Sequence, residues 1–213
     1  MSSQNDKWIT GPKEEFEHSL RRKNLRNRSH YLFLRAHDLL SRDENREARE
    51  VLGRALAVAD PDVRNHSRSR IETALARLDL AEGDEQGAEE IFRRIVNGAP
   101  ARSGADGLAH VELAELLVNR GELDEAERLL TRWFQLMEEK ALDIHLFRYA
   151  VCWARLASTR GDGAAASTWA SRALEVAGRS DEFSRHPGVG AARPTKELRD
   201  WLEETASCSG GLG

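Results

Sequence analysis

Histidine is the residue type of this 213-residue chain that most readily suggests chemistry, because imidazole binds metals and transfers protons near neutral pH. The seven histidines are scattered, at His18, His30, His37, His66, His110, His145 and His186. Neither the HExxH nor the CxxC spacing typical of zinc sites occurs in the sequence. His30 and His37 lie two turns apart on one predicted helix face, but two ligands make a weak site. We therefore expect no metal.

Nucleophile and phosphate-binding motifs are equally missing from the sequence. No run of β-branched residues alternates with polar ones, so there is no strand for a glycine-rich phosphate loop to follow. Cys152 lies in an apolar helical pattern and Cys208 in a Gly/Ser tail, so neither lies in a nucleophile motif. Pairs of Asp and Glu are abundant but fall on polar helix faces. The sequence therefore predicts a protein that is not an enzyme, with no catalytic residue and no cofactor.

The composition favours helices and a cytoplasmic location. Ala, Leu, Glu and Arg dominate, and all four are good helix formers. Hydrophobic residues make up 40% and charged residues 32%, a balance that a thin helical array tolerates. The net charge of −4 argues against a general nucleic-acid binder. Two cysteines suit a reducing compartment, and neither a signal peptide nor an apolar stretch of about 18 residues is present.

One pattern recurs four times along the chain. Each copy has a small residue and a Leu or Ala, then a polar turn, then an alanine with an apolar residue four positions later. The turn alanines are Ala48, Ala88, Ala126 and Ala166, at separations of 40, 38 and 40 residues. Because one copy is too short to bury its own apolar face, neighbouring copies must stack. The pattern predicts four antiparallel helix pairs.

Each predicted turn joins the two helices of a pair. Three turns contain a glycine that can end the first helix in a left-handed conformation: Gly83, Gly121 and Gly161. Asp84 and Asp162 follow two of these glycines and can cap the second helix. Asp43 replaces the glycine in the first copy, so we expect that turn to be built differently. Small residues, Ala114 with Ala126 and Ala154 with Ala166, should lie where the helices approach most closely.

These copies resemble the tetratricopeptide repeat. Ala88-x-x-x-Phe92 followed by Pro100 has every landmark of the second half of that repeat. Two other copies have Leu in place of Phe: Ala126-x-x-x-Leu130 and Ala48-x-x-x-Leu52. The copies exceed the usual length of about 34 residues, and Asp79 stands where an aromatic is expected. The resemblance implies an all-α, right-handed superhelical solenoid of antiparallel helix pairs over residues 29–179.

The segments outside the repeats are predicted from composition. Residues 1–12 should be a flexible N-terminus, 13–28 a helix, 180–194 a loop, 195–206 a helix and 207–213 a disordered tail. The arginines and lysine of residues 21–28 form either a patch for nucleic acid or an acidic partner, or a solvated helix face. The apolar stripe of the last helix either caps the solenoid or docks a partner; it comprises Leu198, Trp201, Leu202 and Thr205.

The resemblance also implies that the first helix of each pair lines a concave groove. Transferred to this sequence, the partner-binding positions are His30, Phe33, His37, Arg70, Thr73, Arg77, Val111, Glu115, Asn119, Arg148, Val151 and Arg155. Arginine binds carboxylates bidentately, so this mostly basic set predicts an acidic peptide or a C-terminal carboxylate as the ligand. Alternatively, the arginines cover apolar neighbours and pair with nearby glutamates. Phe33 and His37 replace the Lys/Asn clamp of chaperone cofactors, so binding of chaperone tails is not predicted.

Four functions remain open at this point. The first is a protein-interaction adaptor with a peptide or protein partner. The second is a regulatory sensor that acts through a partner. The third is a self-assembling subunit or homodimer, using large apolar residues among Trp133, Phe134, Phe147 and Trp169. The fourth is association with nucleic acid through the basic N-terminal helix, which predicts salt-dependent binding.

Overall fold

All regular structure in the described part of the chain is helical, which confirms the all-α prediction. The computed structural model describes residues 7–59, 66–98, 104–137, 141–179 and 192–208. Its helices are α1 (Lys7–Thr10), α2 (Lys13–Arg21), α3 (Leu25–Leu40), α4 (Asn45–Ala57), α5 (His66–Ala81), α6 (Glu85–Asn97), α7 (Gly104–Arg120), α8 (Leu123–Met137), α9 (Asp143–Arg160), α10 (Gly163–Ala177) and α11 (Lys196–Ser207).

The helices form two compact units, unit 1 (Met1–Asn97) and unit 2 (Gly98–Gly213). In unit 1, α3 pairs with α4 and α5 with α6, and α5 also packs against α3 and α4. In unit 2, α7 pairs with α8 and α9 with α10, and α9 packs against α7 and α8. Each unit therefore contains two neighbouring helix pairs, and the predicted architecture of four pairs is confirmed.

The four turns between paired helices share one hydrogen-bond pattern. The amide that follows the turn residue donates to a carbonyl five positions earlier: Glu44 to Leu39, Asp84 to Asp79, Glu122 to Leu117 and Asp162 to Ala157. This is the helix-ending arrangement that a left-handed residue permits. Gly83, Gly121 and Gly161 supply that residue with φ between 76° and 86°. Asp84 and Asp162 also accept side-chain bonds from the amides of Gly87 and Ala165, so their predicted capping role is confirmed.

The first turn is built like the others, contrary to the sequence expectation. Asp43 takes the left-handed conformation itself, with φ of 60°. Aspartate tolerates this region better than most residues with a side chain, since its short polar group adds little steric conflict. The amide of Glu44 then donates to the Leu39 carbonyl at 3.0 Å, as in the three glycine turns.

The N-terminal segment differs from its prediction. The single helix expected over 13–28 is two helices, because α2 ends at Arg21 and α3 begins at Leu25. Arg28 holds this break by donating hydrogen bonds to the carbonyls of Lys23 and Arg21. Residues 7–10 of the predicted flexible terminus form α1, where Ile9 is buried.

A buried arginine ties α1 to the first pair. Arg35 of α3 donates hydrogen bonds of 2.9 Å to the carbonyls of Ile9 and Gly11. Its guanidinium carbon lies 5.6 Å from the centroid of the Phe16 ring on α2. The core of unit 1 therefore extends from the repeats into both N-terminal helices; it includes Ile9, Phe16, Leu20, Leu32, Ala36, Leu52, Ala55, Ile71 and Leu78.

Helix α11 covers the last helix pair by packing on α10, as predicted for a C-terminal cap. Leu202 is fully buried in the core that α9 and α10 form with α11. The hydroxyl of Ser167 on α10 donates a 2.7 Å hydrogen bond to the Ala206 carbonyl. Thr195 caps α11 by accepting from the amide of Leu198. Most of the predicted loop 180–194 and of the tail 207–213 lies outside the described residues.

Candidate functional site

The predicted partner-binding residues of unit 1 divide between two adjacent helices. Helix α3 carries His30, Phe33 and His37, and α5 carries Arg70, Thr73 and Arg77. The guanidinium carbon of Arg70 lies 4.7 Å from the centroid of the Phe33 ring, so the structure brings these two residues together. His30, His37 and Arg77 are exposed, whereas Thr73 is buried. Thr73 therefore packs beneath the exposed residues of α3 and α5 and cannot contact a binding partner.

In unit 2 the predicted residue Arg148 forms ion pairs with two carboxylates of the chain itself. Its guanidinium donates to Glu112 through Nη1 and, at 2.7 Å, to Glu115 through Nη2. Both glutamates lie on α7, so this cluster joins the first helices of the two pairs of unit 2. Among the described residues of α7 and α9 on this face, Glu112 and Glu115 equal Arg148 and Arg155 in number, so the expected excess of positive charge is not found there.

Burial controls the ionisation of this cluster. It raises the pKa of the Glu115 carboxyl above its usual range, and the neighbouring Glu112 adds to the rise, while Arg148 opposes it. Burial acts to lower the pKa of Arg148, but the two carboxylates outweigh it and raise that pKa. Arg148 therefore stays charged and holds α7 against α9 instead of presenting a free cation.

Two further predicted residues lie below the surface of unit 2. Val111 on α7 is 0% exposed and Val151 on α9 is 4% exposed. Because both side chains are buried, they pack in the core of unit 2 and cannot contact a binding partner. The predicted residues of unit 2 that remain exposed are Asn119 and Arg155.

Asn119 and Arg155 lie together in a cleft of about 690 Å³. Helices α7 and α9 form one side of the cleft, and the beginning of α11 forms the other. Its lining residues are Val118, Asn119, Arg155, Ser158, Thr159, Thr195, Glu197, Leu198 and Trp201. The volume falls within the range of about 300–1,000 Å³ typical of ligand pockets. The cleft could accept a short stretch of polypeptide.

Arg155 is the cation of this cleft. Its guanidinium carbon lies 5.8 Å from the centroid of the Trp201 ring, within cation–π distance. Arg155 is exposed and, among the residues that the structure describes, forms no ion pair. An arginine held by an aromatic face keeps its N–H groups available for a carboxylate.

Glu197, the acidic residue among those lining the opposite wall, makes local hydrogen bonds. Hydrogen bonds from its own backbone amide and from the Thr195 hydroxyl lower the pKa of the Glu197 carboxyl. Both groups belong to the start of α11, where the helix dipole favours negative charge. Glu197 therefore stabilises the helix terminus and still contributes one negative charge to the rim of the cleft.

The basic cluster predicted near the N-terminus is partly structural. Arg28 donates to the carbonyls of Arg21 and Lys23, as described above. The ammonium of Lys23 lies 5.1 Å from the centroid of the Tyr31 ring. Arg21 and Arg22 are exposed, and the side chain of Arg26 lies outside the description.

Other chemistry-bearing residues do not converge. Within the described ranges, no group of three or more His, Cys, Asp or Glu side chains could hold a metal ion. Cys152 is buried, and burial raises the pKa of its thiol, whereas Cys208 is exposed. None of the helices described here is both long and apolar enough to cross a membrane.

Comparison with known proteins agrees with this geometry. The family described as Tetratricopeptide repeat matches residues 79–135. The helix pairs of the chain are tetratricopeptide-like. Among solved structures, BtubC (BKLC) from P. vanneervenii is similar, with a TM-score of 0.61 and 15% identity over 98% of this chain and 91% of that chain. This likeness concerns the fold alone. No curated protein sequence matches the chain significantly.

Tetratricopeptide repeats mediate protein–protein interaction, so the exposed first-helix residues of this repeat protein are candidate contacts. Sequence reasoning found Arg155 and Asn119 but missed three features. Glu112 was overlooked as a partner of Arg148, although it precedes Glu115 by one helical turn. Leu198 and Trp201 were predicted as part of a stripe that either caps the solenoid or docks a partner, and nothing in the sequence shows that they line one cleft with Arg155.

Proposed function

We propose that this repeat protein is a non-enzymatic scaffold that binds a peptide or protein segment bearing carboxylates on its first-helix faces. One observation carries the proposal. Each unit has an exposed first-helix arginine stacked on an aromatic ring and without an ion pair among the described residues, Arg70 on Phe33 and Arg155 on Trp201.

These two arginines contrast with others that the chain neutralises itself. Arg148 pairs with two glutamates, Arg49 with Asp79 and Glu82, and Arg54 with Glu17. A carboxylate reaching Arg70 or Arg155 would gain charge-assisted hydrogen bonds without displacing an internal partner. Stacking also restricts the guanidinium before binding, so less conformational entropy is lost.

The competing functions have weaker support. Trp133 is fully buried and stacks on Tyr149 at 4.7 Å between ring centroids, so it is not available to another subunit. Phe134 keeps 36% exposure and is the better candidate for self-association. Arg28 of the basic cluster predicted for nucleic acid is already bonded to backbone carbonyls. For the location, we propose the cytoplasm, because a reducing compartment keeps thiols such as Cys152 and Cys208 free.

The test is selection of peptides from a random display library on the intact chain, followed by titration of the selected peptides. We expect enrichment of Asp- or Glu-containing sequences. Arg155→Glu and Arg70→Glu should weaken their binding, while far-ultraviolet circular dichroism stays unchanged.

Arg132→Glu is the matched control, because Arg132 is an exposed arginine on the second helix α8 and makes the same change of charge. Binding should survive this substitution. Selection of neutral or basic peptides would contradict the proposal. Acidic peptides that bind Arg132→Glu, Arg70→Glu and Arg155→Glu equally well would also contradict it.

A further inference from the structure

Helix α11 contributes more than a cover for the last pair. Trp201 packs its ring partly into the core of unit 2 and also meets the guanidinium of Arg155 across the cleft. Leu198 lies one turn before Trp201 and lines the same space. The contact therefore joins the cap to an arginine that forms no ion pair among the described residues.

The charges around the cleft select one kind of anion. Arg155 offers the positive charge, Glu197 places one negative charge on the rim, and Glu115 on α7 lies within electrostatic range of Arg155. Glu197 repels any anion in the cleft, and it repels a phosphate group, which carries about −1.5 to −2 at neutral pH, more strongly than a singly charged carboxylate. A carboxylate carries one charge and matches the planar fork of arginine. The cleft therefore favours an Asp or Glu side chain over a phosphorylated residue.

The apolar residues of the cleft define a second subsite beside the first. Val118 is 4% exposed and forms its floor, while Leu198 and Trp201 are half-buried and form its wall. Burying an aliphatic side chain here would remove apolar surface of both partners from water. The exposed carboxamide of Asn119 can donate to and accept from a peptide backbone in the same cleft.

We propose that α7, α9 and α11 of unit 2 form a binding site for a partner segment in which an acidic residue adjoins an aliphatic one. The carboxylate binds Arg155 over the Trp201 ring, and the aliphatic side chain packs on Val118, Leu198 and Trp201. This inference rests on the proposed scaffold function and specifies the ligand of one unit. It makes α11 a wall of the site, so the C-terminal helix determines which partner is accepted.

The probe is a short blocked peptide, acetyl-Gly-Glu-Leu-Gly-amide, titrated into the intact chain labelled with ¹⁵N. Three comparison peptides replace Glu with Gln, Glu with phosphoserine, and Leu with Ala. The chain has five tryptophans, and the indole signal of Trp201 is assigned from the spectrum of Trp201→Phe. Its shift then reports occupancy of this cleft directly.

The expected order of affinity is Glu-Leu first, with the Gln, phosphoserine and Ala peptides each weaker. Arg155→Gln should reduce the affinity for Glu-Leu by about tenfold or more and remove the preference for Glu over Gln. Leu198→Ala should reduce it by about fivefold and remove the preference for Leu over Ala. Arg199→Gln is the control on α11, because Arg199 is exposed outside the cleft. It should change neither the affinity for the Glu-Leu peptide nor the preferences for Glu and for Leu.

Two results would overturn the inference. If the α11 variants Leu198→Ala and Trp201→Ala leave binding unchanged while Arg155→Gln weakens it, α11 is not a wall, and the scaffold function still stands. If the Trp201 signal does not shift with any probe, the cleft is not the site, whatever the display selection yields. Circular dichroism of each variant separates loss of binding from loss of α11, and Leu198→Ala retains the Trp201 ring should Trp201→Ala unfold.

Discussion

Arg160 at the end of α9 donates a 2.6 Å hydrogen bond to Glu127 near the start of α8, and so joins the two helix pairs of unit 2. Glu127 directly follows the turn alanine Ala126, and Arg160 lies six residues before the turn alanine of its own pair, Ala166. Asp124 accepts a second bond from the same guanidinium at 2.8 Å.

Unit 1 has the same pair of positions with the charges reversed. Arg49 directly follows the turn alanine Ala48, and Glu82 lies six residues before Ala88. Arg49 donates to Glu82 at 2.9 Å and to Asp79 at 2.7 Å. The repeat geometry therefore fixes where an ion pair between successive helix pairs can form, but it does not fix which helix supplies the cation.

Exchanging the two charges in unit 2 tests this relationship. Glu127→Arg or Arg160→Glu alone should lower the urea midpoint of unfolding, because each leaves like charges facing one another. The double variant should recover most of the loss, since it reproduces the orientation of unit 1. The loss of stability in the single variants should be smaller in high salt, because the side chains of Arg160 and Glu127 are partly exposed. If the double variant is as unstable as the sum of the singles, the two residues are not coupled.

The left-handed turn residue of the first pair gives a second prediction. Asp43 has φ of 60°, and its carboxylate makes no hydrogen bond or ion pair among the described residues. Asp43→Gly should therefore raise the free energy of unfolding by roughly 0.5 kcal/mol, because glycine adopts this conformation without strain.

The reciprocal substitution is the control for that turn. A Cβ built on Gly83 meets no atom within 4 Å, so Gly83→Asp tests the backbone conformation alone. It should lower the free energy of unfolding by about as much as Asp43→Gly raises it. Chemical denaturation of both variants measures the two changes. A stability loss in Asp43→Gly would show that the carboxylate has a stabilising role.

The fold was predictable from the sequence because its determinants are local and repeated. Ala126 and Gly121 specify a close helix approach and a left-handed turn, and both features recur at nearly constant spacing. The break between α2 and α3 was not predictable, because it depends on Arg28 bonding to the carbonyls of Arg21 and Lys23. Propensity alone favours one continuous helix there.

The candidate site was predictable only in part, because it depends on contacts between distant residues. Periodicity placed Arg148 and Arg155 on the same face of α9. It could not show that Arg148 meets Glu112 and Glu115, 36 and 33 residues away, whereas Arg155 meets an aromatic ring of α11. Which of two similar arginines remains available was decided by packing.

The partly buried cluster around Arg148 gives a third prediction. Arg148→Met should lower the free energy of unfolding at neutral pH by about 2–3 kcal/mol, because Glu112 and Glu115 lose their counter-charge. The Arg148 side chain is 25% exposed, so we expect less than for a fully buried pair. Arg132→Met on α8 is the matched change and should be nearly neutral, because Arg132 forms no ion pair with any residue that the structure describes. Equal losses in the two variants would contradict a specific role of the cluster.

The same cluster predicts how the stability of that variant depends on pH. Burial raises the pKa of Glu115 above its ordinary value of 4.5, so the folded chain binds a proton more readily than the unfolded chain. The stability linked to this carboxyl is therefore fully present below pH 4.5 and is lost as pH rises through the folded pKa. Arg148→Met removes the group that opposes the rise of the Glu115 pKa. The difference in unfolding free energy between this variant and the unchanged chain should therefore narrow as pH falls from 7 towards 4.5. Urea unfolding at several pH values measures this, and a constant deficit would contradict it.

The close approach of α7 and α8 gives the last prediction. Ala114 and Ala126 are both 0% exposed, and the helices that carry them pack as a pair. Ala126→Leu would insert three further carbon atoms where no space remains, and should cost about 1–3 kcal/mol of unfolding free energy. Ala164→Leu on α10 makes the same change at an exposed position and should cost little. Since the other three copies also have an alanine at this position, Ala48→Leu in unit 1 should behave like Ala126→Leu. If the melting temperature of Ala126→Leu matches that of Ala164→Leu, the turn alanines are not the points of closest helix approach.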